Sequence, residues 1–147
     1  MHAYPHLYRV NASAVQAGTV KVTSAGLPEL ETAPPVEFDG PGDAWSPETL
    51  LCAALVDCFI LTFRAVARAS KFEWSKLDCW VEGTLDRSQG AAQFTRFAVH
   101  ATLTVAGKAD EAKARALLER AERTCLISNS LKSERTLEMT VLEQADS

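Results

Sequence analysis

Four cysteines, Cys52, Cys58, Cys79 and Cys125, are the residues of this chain best suited to covalent chemistry. A cysteine attacks through its thiolate, and its sulfur can pass reversibly to a sulfenic acid and then to a disulfide. Cys58 stands in Val56-Asp57-Cys58-Phe59, inside a long apolar stretch, and Cys125 opens Cys125-Leu126-Ile127-Ser128-Asn129. Sixty-seven positions part the two, so only a fold can bring them together. A buried thiol is pushed towards its neutral form. A cysteine in mid-helix gains nothing from that helix's positive end, so a reactive Cys58 is expected to need a nearby cation. Cys52 lies about 240° round a helix from Cys58 and is read as core. Cys79, on the apolar face of a strand, is read the same way. By itself a buried cysteine is more often a small inert hydrophobe than a nucleophile. No pair has CxxC or CxxxC spacing, and His2, His6 and His100 have no metal-ligand spacing, so no metal or cofactor is implied.

The elements that must position these residues follow from periodicity. Tyr4 to Asn11 reads as a short strand, Thr19 to Ser24 alternates as a half-buried strand, and Leu30 to Thr32 begins a third. Pro34 and Pro35 interrupt it, Val36 and Phe38 resume briefly, and Gly40-Pro41-Gly42 is a turn-rich loop. Ser46-Pro47-Glu48 is a strong helix start: a capping hydroxyl, a proline at the first position and a carboxylate at the positive end of the dipole. The helix should run to about Ser70 and is apolar on nearly every face, which predicts burial in a domain or a dimer. Leu77 to Arg87 and Phe94 to Val105 read as strands joined by a turn at Ser88-Gln89-Gly90. Asp110 to Thr124 is an amphipathic helix with Ala114, Leu117, Leu118 and Ala121 inward, and Leu137, Met139 and Val141 mark a last strand. This order predicts a single α+β domain, residues 1–147, with largely antiparallel sheets.

Composition limits the function. The chain has 147 residues, 47% hydrophobic and 23% charged, which is globular, and its formal net charge of -4 leaves no basic footprint for nucleic acid. Met1 to Asn11 has no apolar core and is not read as a signal peptide. The run Leu50 to Phe63 contains Asp57 and reads as too short and too polar to span a bilayer. The expected location is the cytoplasm, where structural disulfides are rare.

Three blocks together resemble the OsmC/Ohr family of thiol peroxidases. They are the glycine-rich loop Gly40 to Ala44 running through Trp45 into Ser46-Pro47-Glu48, the apolar helix Leu50 to Phe63 carrying Cys58-Phe59, and Cys125 followed by Ser128 and Asn129 after an amphipathic helix. The order of elements matches over nearly the whole chain. The resemblance implies an intertwined homodimer around two central helices. It makes Cys58 the thiol that attacks an organic hydroperoxide, Cys125 the resolving thiol, and a lipoyl-type external dithiol the reductant. Glu48 matches a glutamate that orients an arginine beside the thiolate. The chain departs from the pattern in three places. Between Val10 and Trp45 there is no arginine, only Lys21, with Arg9 and Arg96 elsewhere. Asp57 precedes the reactive cysteine, and Leu126 stands where a proline commonly follows the second one. The alternative is a redox sensor or a binder of apolar small molecules on the same scaffold. A cation beside Cys58 is the feature expected to tell them apart.

Overall fold

The computed structural model describes residues 1–106 and 110–144. They fall into two compact units, Met1–Leu51 and Cys52–Ser147.

The first unit holds a small antiparallel sheet of β1 (Asn11–Ser13), β2 (Val20–Thr23) and β3 (Leu30–Thr32) in that spatial order. The first strand begins at Asn11, not Tyr4. Tyr4, Leu7, Tyr8 and Val10 are exposed, and β2 pairs only from Thr23↔Asn11 onward, so the preceding apolar residues have no face to bury. Val36–Phe38 forms a 3-10 turn where a strand was expected. Pro35 offers its carbonyl to the amides of Phe38 at 2.9 Å and Gly40 at 3.0 Å, and Asp39 closes the turn at φ 63°. A Cβ on Gly40 would overlap the Pro34 carbonyl, so only glycine fits. The chain then returns along β3, with the Ala33 amide donating to the Trp45 carbonyl at 3.0 Å.

Helix α1 (Pro47–Ala69) starts as expected from Ser46. The Ser46 Oγ accepts from the Thr49 amide at 3.1 Å, and the Ser46 amide donates to Thr49 Oγ1 at 2.9 Å. This reciprocal box satisfies two otherwise orphan donors. At the other end Lys71, at φ 52°, lets the Phe72 amide reach the Ala67 carbonyl at 2.9 Å. That bond, with Lys71 donating to Arg68 at 3.1 Å, is a Schellman stop made without glycine.

In the second unit β4 (Lys76–Ser88) and β5 (Ala91–Ala106) form a long antiparallel hairpin, turning through Gln89 and Gly90 at positive φ. Helix α2 (Glu111–Thr124) and the short α3 (Leu126–Asn129) then lead to β6 (Glu134–Gln144). β6 runs parallel to β5 from Arg96↔Glu134 to Ala106↔Gln144, a departure from the antiparallel expectation. Parallel neighbours need a crossover, and α2 and α3 supply it. The core joins Leu55, Phe59, Phe63 and Ala67 of α1 to Phe97, Val99, Ala101, Leu103 and Val105 of β5 and to the inward face of α2. On the other sheet face Trp80 stacks on His100 at 3.9 Å between ring centres, and His100 Nδ1 meets Glu138 Oε2 at 3.0 Å. His100 is thus partly covered.

The helix continues past Phe63 to Ala69 and is long and apolar enough to cross a membrane, with a mean hydropathy of 2.1, where the run Leu50 to Phe63 alone was not. One stripe of it is committed to the core just described, while much of its remaining apolar surface is half-buried or exposed.

Replacing Ser46 with alanine should cost about 1 kcal/mol of stability by removing the cap. Urea denaturation of Ser46→Ala against the parent checks this; an unchanged midpoint would show that Thr49 alone holds the helix start.

Candidate functional site

Cys58 lies midway along α1, on the flank of the Leu55–Phe59 stripe rather than in it, and keeps partial access to solvent. One turn on, Thr62 sets its Oγ1 3.9 Å from the sulfur. Cys125 caps α3 with extended backbone, φ -64° and ψ 119°, and is completely buried. Capping places the first amides of α3 outward, where they have no helical partner. The crossover therefore brings together the two cysteines that stand far apart in sequence.

The electrostatics of the pair are asymmetric. Burial pushes the Cys58 thiol up, but hydrogen bonds from the Ile127 amide, the Cys125 thiol, the Thr62 hydroxyl and the Leu126 amide together outweigh it. The net effect is a Cys58 more acidic than an ordinary thiol. Burial raises Cys125 most, the Ser128 amide offsets part of this, and the negative charges of Cys58 and Glu122 raise it further, to about 11. Cys58 is thus the more acidic of the two sulfurs and Cys125 the weaker acid. The expected cation is not what lowers Cys58; backbone amides, a hydroxyl and a thiol do so. Arg96 is exposed on β5, and Asp57 is exposed on α1, where water screens its charge.

The other two cysteines differ. Burial raises Cys52, only partly offset by the Gly83 amide, and its sulfur packs where a Cβ on Gly83 would stand only 2.9 Å away. Burial, helped by the charge of Asp78, pushes Cys79 up to about 12. Both are half-buried rather than in the core the sequence suggested, and both are held back from ionising.

Glu48 sits in the first turn of α1, in the other unit. Its Oε2 is buried with no hydrogen-bond partner among the described residues. It lines an apolar pocket of about 290 Å³ with Val20, Ala33, Pro34 and Phe38. Sequence reasoning missed Thr62 and the α3 amides. Thr62 was findable, as a hydroxyl at i+4 from Cys58. The amides were not, because backbone groups leave no residue-type signal.

A family model described as OsmC-like protein matches residues 40–140. An uncharacterized protein, YmaD, of Bacillus subtilis is 27% identical over 135 residues, covering 89% of this chain and 84% of that protein. Among solved structures, an organic hydroperoxide resistance protein OsmC from Legionella pneumophila, described as a predicted redox protein, superposes with a TM-score of 0.75 at 26% identity. It covers 95% of this chain and 99% of its own. An OsmC-like protein of unknown function from Vibrio cholerae reaches a TM-score of 0.84 at 15% identity, over 92% of this chain and 99% of its own, a likeness of fold.

The thiol acidities have a direct consequence. A lowered pKa enlarges the thiolate fraction at neutral pH, and a raised one diminishes it. Alkylation followed peptide by peptide should modify Cys58 at the lowest pH, with Cys79 and Cys125 unreactive until strongly alkaline solution. Equal labelling of Cys58 and Cys52 near neutrality would contradict the asymmetry.

Proposed function

The chain belongs to the OsmC-like family, and from that premise we propose that it reduces organic hydroperoxides through Cys58, with Cys125 as the resolving thiol and residues 1–147 working as one domain. What supports this reading is the placement of Cys58 beside Cys125 by the crossover, with hydrogen bonding making Cys58 the more acidic of the two. The Cys58 thiolate attacks the outer peroxide oxygen, the O–O bond breaks, and the alkoxide leaves as an alcohol after taking a proton. Cys58 is then a sulfenic acid. Cys125 attacks that sulfur, the S–O bond breaks, water leaves and a disulfide forms. An external dithiol of lipoyl type restores both thiols and is itself oxidised to a disulfide. The family's likeness to hydroperoxide resistance proteins supports a redox role of this kind. Glu48, whose carboxylate oxygen has no partner among the described residues and faces an apolar pocket, is assigned to orienting an arginine, as the family pattern implies.

We assign the working form to a homodimer in the cytoplasm. Beyond its buried stripe α1 presents Leu61, which is exposed, and Val56, Ile60 and Val66, which are half-buried. An apolar helix face of this extent is expected to be covered.

The alternative, a redox sensor, is favoured by one observation: no guanidinium is among the groups that acidify Cys58. Turnover separates the two. Reduced protein with cumene hydroperoxide and dihydrolipoamide should consume peroxide continuously. Cys58→Ser should abolish this, and Cys125→Ser should stop after one equivalent, leaving a sulfenic acid that dimedone captures. Oxidation of Cys58 without turnover would identify a sensor, and an unreactive Cys58 would exclude both. Light scattering on the size-exclusion peak should give twice the chain mass; a stable monomer would overturn the dimer.

A further inference from the structure

The turn that faces Cys58 does not hold itself. Helix α3 has four residues, far too few to be stable from its own hydrogen bonds. Its fixation comes from outside. Arg135, in the second position of β6, donates from Nη1 to the carbonyls of Ser128 and, at 3.2 Å, Leu131. Its Nε donates to Glu122 Oε1 of α2 at 3.1 Å, and the same carboxylate oxygen accepts from Ser128 Oγ at 2.7 Å. Ser128 is completely buried, and both its hydroxyl and its carbonyl are held by this one ion pair. We propose that Arg135 and Glu122 are positioning residues for the reactive sulfur: they lock the Cys125–Ser130 turn so that the Leu126 and Ile127 amides and the Cys125 thiol stay directed at Cys58.

This rests on the reading of Cys58 as the working thiol and adds the residues that keep it acidic. The chemistry suits the task. The pair is partly withdrawn from solvent, with side-chain exposures of 28% and 16%, where charge-assisted hydrogen bonds keep more of their strength. Arg135 divides one planar fork among acceptors on α2, on α3 and at Leu131 just beyond it, a span that the compact ammonium of lysine meets less well. The Glu122 charge also lies close enough to Cys125 to oppose its ionisation, which keeps that thiol a donor.

A second tie between α2 and β6 provides the control. Arg115 pairs with Glu111 at 3.0 Å and donates to the Met139 carbonyl at 3.2 Å, away from the turn. The readout is the pH midpoint of Cys58 alkylation in the full chain, followed by peptide mass spectrometry without peroxide. Arg135→Met should raise the midpoint by about one pH unit, roughly tenfold less thiolate at a pH below it. Arg135→Lys should recover part of the shift, and Arg115→Met should leave the midpoint unchanged. An unmoved midpoint in folded Arg135→Met, or an equal shift in Arg115→Met, overturns the proposal. Should Arg135→Met fail to fold, Ser128→Ala removes only the hydroxyl held by Glu122. It should shift the midpoint in the same direction by less, and no shift there overturns the proposal equally. Because no peroxide is used, failure of the peroxidase reading would appear only in the turnover assay and leaves this result distinct.

Discussion

A sulfur anion half-removed from water has to be met by donors, because an unmatched buried charge costs several kcal/mol (on the order of what a whole small domain has to spare). Much of the second unit can be understood from that constraint. The donors come from the exposed first turn of α3, so a helix must begin at Leu126 and Cys125 must be extended before it. That helix must stand at one place, so Ser128 is buried and both of its polar groups are held. The segment carrying it must pass from one edge of β5 to the next strand, and the parallel β5–β6 pairing supplies that crossover.

The scaffold was largely legible in the sequence, and the site only half so. The alternation of Phe97, Val99, Ala101, Leu103 and Val105 marked a face that is buried along its whole length, and Ser46-Pro47-Glu48 marked a helix start within one residue. Periodicity works there because one face pays no penalty and the other would. It failed at Tyr4 to Val10, where alternating residues have no partner strand, and at Val36–Phe38, where two prolines dictate the backbone more strongly than the apolar side chains do. Cys58 and Cys125 were found as residues. What surrounds Cys58 was not, because a cation is visible in a sequence and a backbone amide belongs to every residue but proline. Arg135 and Glu122 drew no notice in the sequence for the same reason: their partners are mostly carbonyls and a serine.

Two departures from the family pattern also bear on each other. The chain has no arginine between Val10 and Trp45, and it has leucine rather than proline after the second cysteine. Proline has no amide hydrogen. Leu126 has one, and it is among the groups that lower the Cys58 pKa. The substitution that removes a rigid ring therefore adds a donor in a chain that lacks the usual charged one. Asp57, the third departure, is harmless to the thiolate because it faces solvent on α1.

The crossover has a bearing on how the chain acquires its chemistry during synthesis. The β4–β5 hairpin is built from neighbours in sequence and can form early, whereas β6 pairs across an intervening stretch that includes both later helices. Long-range parallel pairing is slow because chain entropy is lost before contacts are gained. Until β6 docks, Arg135 is not in place and the turn bearing Cys125 has nothing to lean on. If Arg135 positions the turn as proposed, a nascent or partly folded chain carries Cys58 as an ordinary thiol. On that proposal, competence arrives with the last strand, and unfinished molecules are spared the indiscriminate oxidation and mixed disulfides that an exposed reactive cysteine would invite.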